Sequence, residues 1–177
     1  MACAAWAHAA GRQAGIPFWK RPLDGCKLAP AETEERLADP VVVADSALVA
    51  EAERVIGEGL SAFNDEVTGI NDRQPLAVVV RDPDTGAGLG GASGRTWLGL
   101  LFLNVFHLPR LLRGAGLGSR ILRMAEEEAR RRGCCSGVLL TISFQAPAFH
   151  ERHGWRRFGE VPCHPPGTSR VYMMKEL

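Results

Sequence analysis

Tyrosine is almost missing from this chain: Tyr172 is the single one in 177 residues. Any chemistry that needs a phenol must draw on that position or do without. No apolar run approaches the roughly 20 residues needed to cross a bilayer. His8, Arg12 and Gln13 interrupt the alanine-rich start, and nothing basic precedes it, which makes it a poor secretory leader. An excess of one charge is lacking too. Net charge is +1, so no global field favours nucleic acid or an anionic membrane. The five cysteines are odd in number, Cys134 and Cys135 are adjacent, and no C-x-x-C or Cys/His ligand spacing occurs. Neither a disulfide framework nor a metal site is expected from them. A reducing, cytoplasmic setting is the simpler reading.

What remains is ordinary globular usage, 46% hydrophobic and 23% charged, in a length that suits one domain with one core. The densest basic run, Arg130-Arg131-Arg132, follows Glu126-Glu127-Glu128 at i,i+4 spacing and reads as a salt-bridged helix face. Residues 1–39 show no sustained period and carry Pro17, Pro22 and Pro30. They are expected to form a partly ordered extension, with the working domain over residues 40–177.

Within that domain, Val41-Val42-Val43 is a short strand candidate, and an amphipathic helix is expected from Asp45 to about Phe63, capped by Asp45 or Ser46. Pro75 to Arg81 reads as a strand, followed by turn chemistry at Asp82-Pro83-Asp84-Thr85-Gly86 and a second strand. Trp97 to Phe106 is continuously apolar, as for a strand buried on both faces. Leu117 to Arg132 is the clearest helix, with Leu117, Ile121, Ala125 and Ala129 four apart and Gly133 as its stop. Val138 to Ile142 is a buried strand, a short helix spans about Pro147 to His153, and Trp155–Phe158 and Arg170–Lys175 close the chain as antiparallel strands. This order implies an α+β fold, a mixed sheet with helices on its faces.

Two glycine motifs compete for attention. Gly86-Ala87-Gly88-Leu89-Gly90-Gly91 spells G-x-G-x-x-G, but a dinucleotide site needs a strand before it, a helix after it and an acid about 20 residues on. A hairpin turn precedes this one and a strand-like run follows, so the dinucleotide reading is rejected. Arg113-Gly114-Ala115-Gly116-Leu117-Gly118 has the opposite context: a buried strand enters and the best helix leaves. Its amides and the helix N-terminus would face an anion. The loop alone fits a ligand-free strand-to-helix turn equally well.

With Arg113, Gly116 and Gly118 in the pattern R/Q-x-x-G-x-G/A, the chain resembles the GNAT superfamily of N-acetyltransferases. Asn64, the stretch from Pro75 through Gly91, Ser143-Phe144-Gln145-Ala146-Pro147-x-Phe149 and Pro165-Pro166-Gly167-Thr168-Ser169-Arg170 resemble a bacterial subgroup. The resemblance covers residues 40–177. It implies a mostly antiparallel sheet with two splayed parallel strands, here those ending at Phe106 and at Ile142, and helices on both faces. It implies acetyl-CoA as co-substrate, with the diphosphate on Arg113, Gly114, Ala115, Gly116, Leu117, Gly118 and Ser119. The backbone of Phe106, His107 and Leu108 would pair with the pantetheine arm, and Ser143, Gln145 and Phe149 would lie close to it.

The implied reaction is direct attack of an amine on the thioester, acting on a small amine or amino-bearing metabolite, in a protein of a family that often forms homodimers. A weakly active CoA-binding module of the same fold is the alternative. The subgroup usually has Phe-Tyr where this chain has Phe149-His150, and that tyrosine commonly serves as general acid. His150 is therefore a candidate acid, as an imidazolium, against the alternative of a helix-surface histidine. Where many members place a glutamate base, this chain has Asn104, which cannot accept a proton. Asp65, Glu66, Asp72 and His107 are further candidates for amine contact. Gln145 is also read as a helix-start cap, and His153 carries no convincing chemistry.

Overall fold

The computed structural model describes residues 40–177; the extension expected over residues 1–39 lies outside them. The described residues fall into two compact units, one running to Asn71 and the other from Asp72 to Leu177. No helix among the described residues is long and apolar enough to cross a membrane.

In the first unit, the Asp45 carboxylate accepts a hydrogen bond from the Ala47 amide at 2.8 Å. That cap starts a 3-10 turn, Ser46–Leu48, which runs into helix α1, Val49–Thr68. The helix outlasts the expected Phe63 and closes at Gly69, whose left-handed φ of 65° turns its N–H onto the Asp65 carbonyl. Val41–Val43 forms no strand and is exposed. β-Branched residues favour a pleated surface only when a neighbouring strand supplies the ladder, and none pairs with them.

The second unit is one six-stranded sheet: β1 Gln74–Arg81, β2 Gly88–Trp97, β3 Leu100–His107, β4 Ser136–Ile142, β5 Arg156–Cys163 and β6 Thr168–Glu176, in the order β1-β2-β3-β4-β6-β5. Only the central β3–β4 pair is parallel. The mixed, mostly antiparallel α+β fold is therefore as expected. Helix α2, Leu117–Arg131, and the short α3, Pro147–Arg152, join β3 to β4 and β4 to β5.

The apolar run from Trp97 to Phe106 is not one strand. It holds the end of β2, a two-residue hairpin turn at Leu98 (φ 48°) and Gly99 (φ 71°), and most of β3. A hairpin turn of this twist needs two positive-φ residues; leucine rarely adopts one, which hid the turn. Nor is β3 buried on both faces. Leu101 and Leu103 are buried and their neighbours less so, because α2 covers one face. Leu101, Leu103, Leu139, Val171 and Met173 from that face form one core with Ile121, Leu122, Ala125 and Ala129 of α2.

A buried carboxylate ties the layers together. Glu126 of α2 accepts from Lys175 Nζ of β6 at 2.7 Å and from Trp155 Nε1 at 3.0 Å. A buried charge is tolerated when paired and hydrogen-bonded in this way.

The rejected G-x-G-x-x-G motif has a structural purpose. Gly88–Gly91 lie inside β2, and a Cβ on Gly91, where φ is 149°, would stand 2.1 Å from the Val78 carbonyl oxygen of β1. Gly91→Ala should therefore cost at least about 3 kcal/mol, above the usual 1–3 for overpacking. Urea unfolding would measure it, and an unchanged midpoint would contradict this account.

Candidate functional site

The β3–β4 ladder stops early. It pairs Leu100–Leu103 with Ser136–Leu139, although β3 runs on to His107 and β4 to Ile142. The cause lies in β3. Against β2, Leu103 faces Gly94 and Val105 faces Ser93, so Asn104 is an extra, unpaired residue. A bulge of this kind bends its strand and sharpens its twist, and the ladder to β4 ends at Leu103, just before it. From Asn104 to His107, β3 has an edge that β4 does not cover. This is the splaying that the resemblance implied.

The glycine loop stands just beyond that edge. Leu108 is buried, and its carbonyl accepts from Arg113 Nε at 2.8 Å, clasping the turn between β3 and α2. Gly114 (φ 87°) and Gly116 (φ 78°) hold left-handed conformations with open space where a Cβ would be. Gly118 is glycine for a different reason: a Cβ there would touch the Phe149 ring at 3.3 Å. Gly116 caps α2 with backbone only, and no side chain caps the helix. The first amides of α2 lack intrahelical partners, so those of Leu117, Gly118 and Ser119 crown an exposed turn carrying Arg113, Gly114 and Ala115. Uncapped amides at a helix start suit an anion.

An aromatic cluster lies beneath. Phe106 of β3 approaches Phe149 at 5.7 Å and His150 at 5.9 Å between ring centroids, and His150 meets Trp155 edge-on at 6.2 Å. His150 is only 5% exposed and its Nδ1 is buried without a hydrogen-bond partner. It is not a helix-surface histidine. Burial pushes its pKa down to about 4; His153 pushes in the same direction, and Glu126 opposes them. His150 is thus uncharged at neutral pH, which corrects its reading as a ready imidazolium acid: desolvation penalises the charged ring.

The remaining candidates divide. Gln145 turns its Oε1 back to accept from the Ile142 amide at 3.0 Å and the Thr141 hydroxyl at 3.1 Å, a capping role at the end of β4. Ser143 bonds Ser169 of β6 through its amide (2.9 Å) and its hydroxyl oxygen (3.1 Å). Asn104 receives a long contact, 3.5 Å, from Arg95 Nη1. Asp72 accepts from the Leu98 amide at 3.0 Å and so braces the β2–β3 hairpin. His107 is exposed at the tip of β3; Asp65 and Glu66 lie on α1, in the other unit. A concavity of about 430 Å³ between β1 and α2, lined by Leu76, Met124, Glu128 and Arg132 among others, contains none of the candidates.

Two residues escaped sequence reasoning. His153 joins α3 to α2: its Nδ1 lies 2.8 Å from the Phe149 carbonyl oxygen and its Nε2 2.8 Å from Ser119 Oγ. Tyr172, remote from the motifs in sequence, stands opposite Leu140, the first residue of β4 past its last β3 partner. No local pattern signals either one.

His150 carries a stability signature. Its native pKa of about 4 lies below the ordinary value of 6.5. Between these two, the unfolded chain holds a proton that the native chain refuses, so stability rises with pH across that window and is lost on acidification. The ceiling is about 3 kcal/mol. In urea titrations from pH 4 to 7, His150→Phe should flatten this arm; parallel slopes would refute the assignment.

The Acetyltransferase (GNAT) family model matches residues 45–155. Acetyltransferase Atu2258 of Agrobacterium fabrum is 34% identical over 128 residues, covering 72% of this chain and 93% of that protein. Blasticidin-S acetyltransferase of Streptomyces morookaense is 34% identical over 113 residues, covering 62% and 83%. A crystal structure of an acetyltransferase from Bacillus cereus superposes with a TM-score of 0.66 at 26% identity, covering 78% of this chain and 98% of that one. Parted parallel strands, an uncapped glycine turn and these likenesses lead to one conclusion: the chain belongs to the GNAT family, as an acetyltransferase that takes acetyl-CoA as co-substrate.

Proposed function

We propose that the protein N-acetylates a small amine-bearing molecule by direct attack of the amine on the acetyl-CoA thioester. The reading rests above all on the parting of β3 and β4 beside an uncapped helix start. The α2 amides of Leu117, Gly118 and Ser119, with the turn from Arg113 to Gly116, receive the diphosphate. The free edge of β3 at Phe106, His107 and Leu108 takes the pantetheine arm as an added strand. An amide on that edge polarises the thioester carbonyl; losing a donor aimed at a developing oxyanion typically costs about 3–4 kcal/mol. Phe149 packs beneath the helix start and keeps the turn in place.

Proton transfer receives little help from the side chains near the gap. Asn104 cannot accept a proton, and His150 enters uncharged. Neither residue, then, takes the amine's proton or supplies one to the departing thiolate, of pKa about 8.5 for an ordinary thiol. A relative named for the acetylation of blasticidin S supports a small-molecule acceptor.

Thiol release from acetyl-CoA across a panel of small amines tests the reading. Turnover above buffer is expected with at least one amine. Arg113→Glu, which sets a carboxylate at the diphosphate turn, should raise the KM for acetyl-CoA at least about tenfold, equivalent to 1.4 kcal/mol. Heat protection by CoA without turnover by any amine would mark a binding module instead. Unaltered affinity in Arg113→Glu would refute the loop assignment.

A further inference from the structure

His153 plays no part in the family pattern, yet its two hydrogen bonds leave it little freedom. The Phe149 carbonyl oxygen, 2.8 Å from Nδ1, can only accept, so Nδ1 carries a hydrogen. A neutral imidazole has one N–H. Nε2 is therefore an acceptor, and the partner 2.8 Å away, the Ser119 hydroxyl, must spend its hydrogen on it. Ser119 is the third residue of α2, among the amides that face the proposed diphosphate. With its hydrogen turned inward, the hydroxyl offers an approaching phosphate oxygen only lone pairs, which repel it. Rotating the ring or swapping tautomers would break the bond to Phe149.

One change reconciles both bonds with an anion. A proton from solvent on Nε2 makes both ring nitrogens donors. Nε2–H then donates to Ser119 Oγ, and the freed hydroxyl hydrogen donates to a phosphate oxygen. We propose that His153 is a positioning residue of the donor site, and that seating the diphosphate at α2 takes up a proton on His153 and so turns the Ser119 hydroxyl outward. The inference rests on the loop reading above and extends it.

The groups around the ring fit this role. From α3 itself come Phe149, whose ring lies 4.6 Å away between centroids, and His150, which is electrostatically coupled to it and uncharged at neutral pH. From α2 comes Ser119, followed by the exposed Arg120, and the turn adds Arg113, tied to the Leu108 carbonyl. A diphosphate seated at the turn brings negative charge toward the ring, and an opposite charge nearby favours the protonated form.

The test uses the intact protein and 3′-dephospho-CoA, which retains the diphosphate but lacks the phosphomonoester that itself titrates near neutrality. Calorimetric titration in buffers of different ionisation enthalpy counts the protons exchanged. Wild type should take up part of a proton, up to one, with this probe and none with pantetheine, which has no diphosphate. Its affinity for the probe should weaken as pH rises through the range where imidazoles titrate, by up to about tenfold per pH unit. His153→Phe should abolish the uptake and flatten the affinity profile, and Ser119→Ala, which removes the hydroxyl relay, should clearly reduce it; Ser119→Ala keeps the test sharp if His153→Phe does not fold. No uptake by wild type, or equal uptake by wild type and Ser119→Ala, would overturn the proposal while leaving the loop reading intact. That reading fails separately, if Arg113→Glu binds 3′-dephospho-CoA as tightly as wild type.

Discussion

One extra residue in β3 governs the architecture of the site. Asn104 has no partner on β2, and the ladder to β4 ends beside it, at Leu103 and Leu139. A continued parallel ladder would satisfy every amide of both strands and leave no edge for a ligand. The bulge forgoes those hydrogen bonds and thereby keeps backbone donors and acceptors available beside the glycine turn. Gly94, opposite the bulge, makes this geometry feasible: a Cβ there would lie 2.0 Å from the Phe102 carbonyl oxygen.

The parted strands need support, and the surrounding layers provide it. The Glu126–Lys175 pair and the Trp155 indole join α2 to β6. Gly137 lets β4 pass close to Trp155, since a Cβ there would meet the ring at 2.9 Å. Phe149 and Leu108 both approach Gly118. The start of α2 is therefore held by apolar contacts below while its amides stay uncovered above. Rigidity beneath and openness above are what the proposed diphosphate seat requires.

The same packing decides the character of the acid–base groups. His150 is the residue that the sequence resemblance offered as a candidate acid, but it lies in an aromatic cluster that penalises charge. His153, three residues on, is half-buried and bonded at both ring nitrogens. Two histidines in one helical turn thus differ in role because one faces the core and the other bridges to α2.

Several features were legible from the residues alone. The four-residue spacing of Leu117, Ile121, Ala125 and Ala129 specified α2, because a helix buries one stripe. The context of each glycine motif separated the turn that opens α2 from the motif inside β2, because a helix begins at one and a strand continues through the other. The run at Trp97–Phe106 misled, because Leu98 adopts a turn conformation that leucine rarely takes. Only the tertiary structure decided the rest. Burial sets the charge state of His150, strand register assigns Asn104 to a bulge, and packing of α3 against α2 brings His153 to Ser119. Each of these depends on contacts between residues far apart in the chain, and local patterns encode periodicity and turns but not which distant surfaces meet.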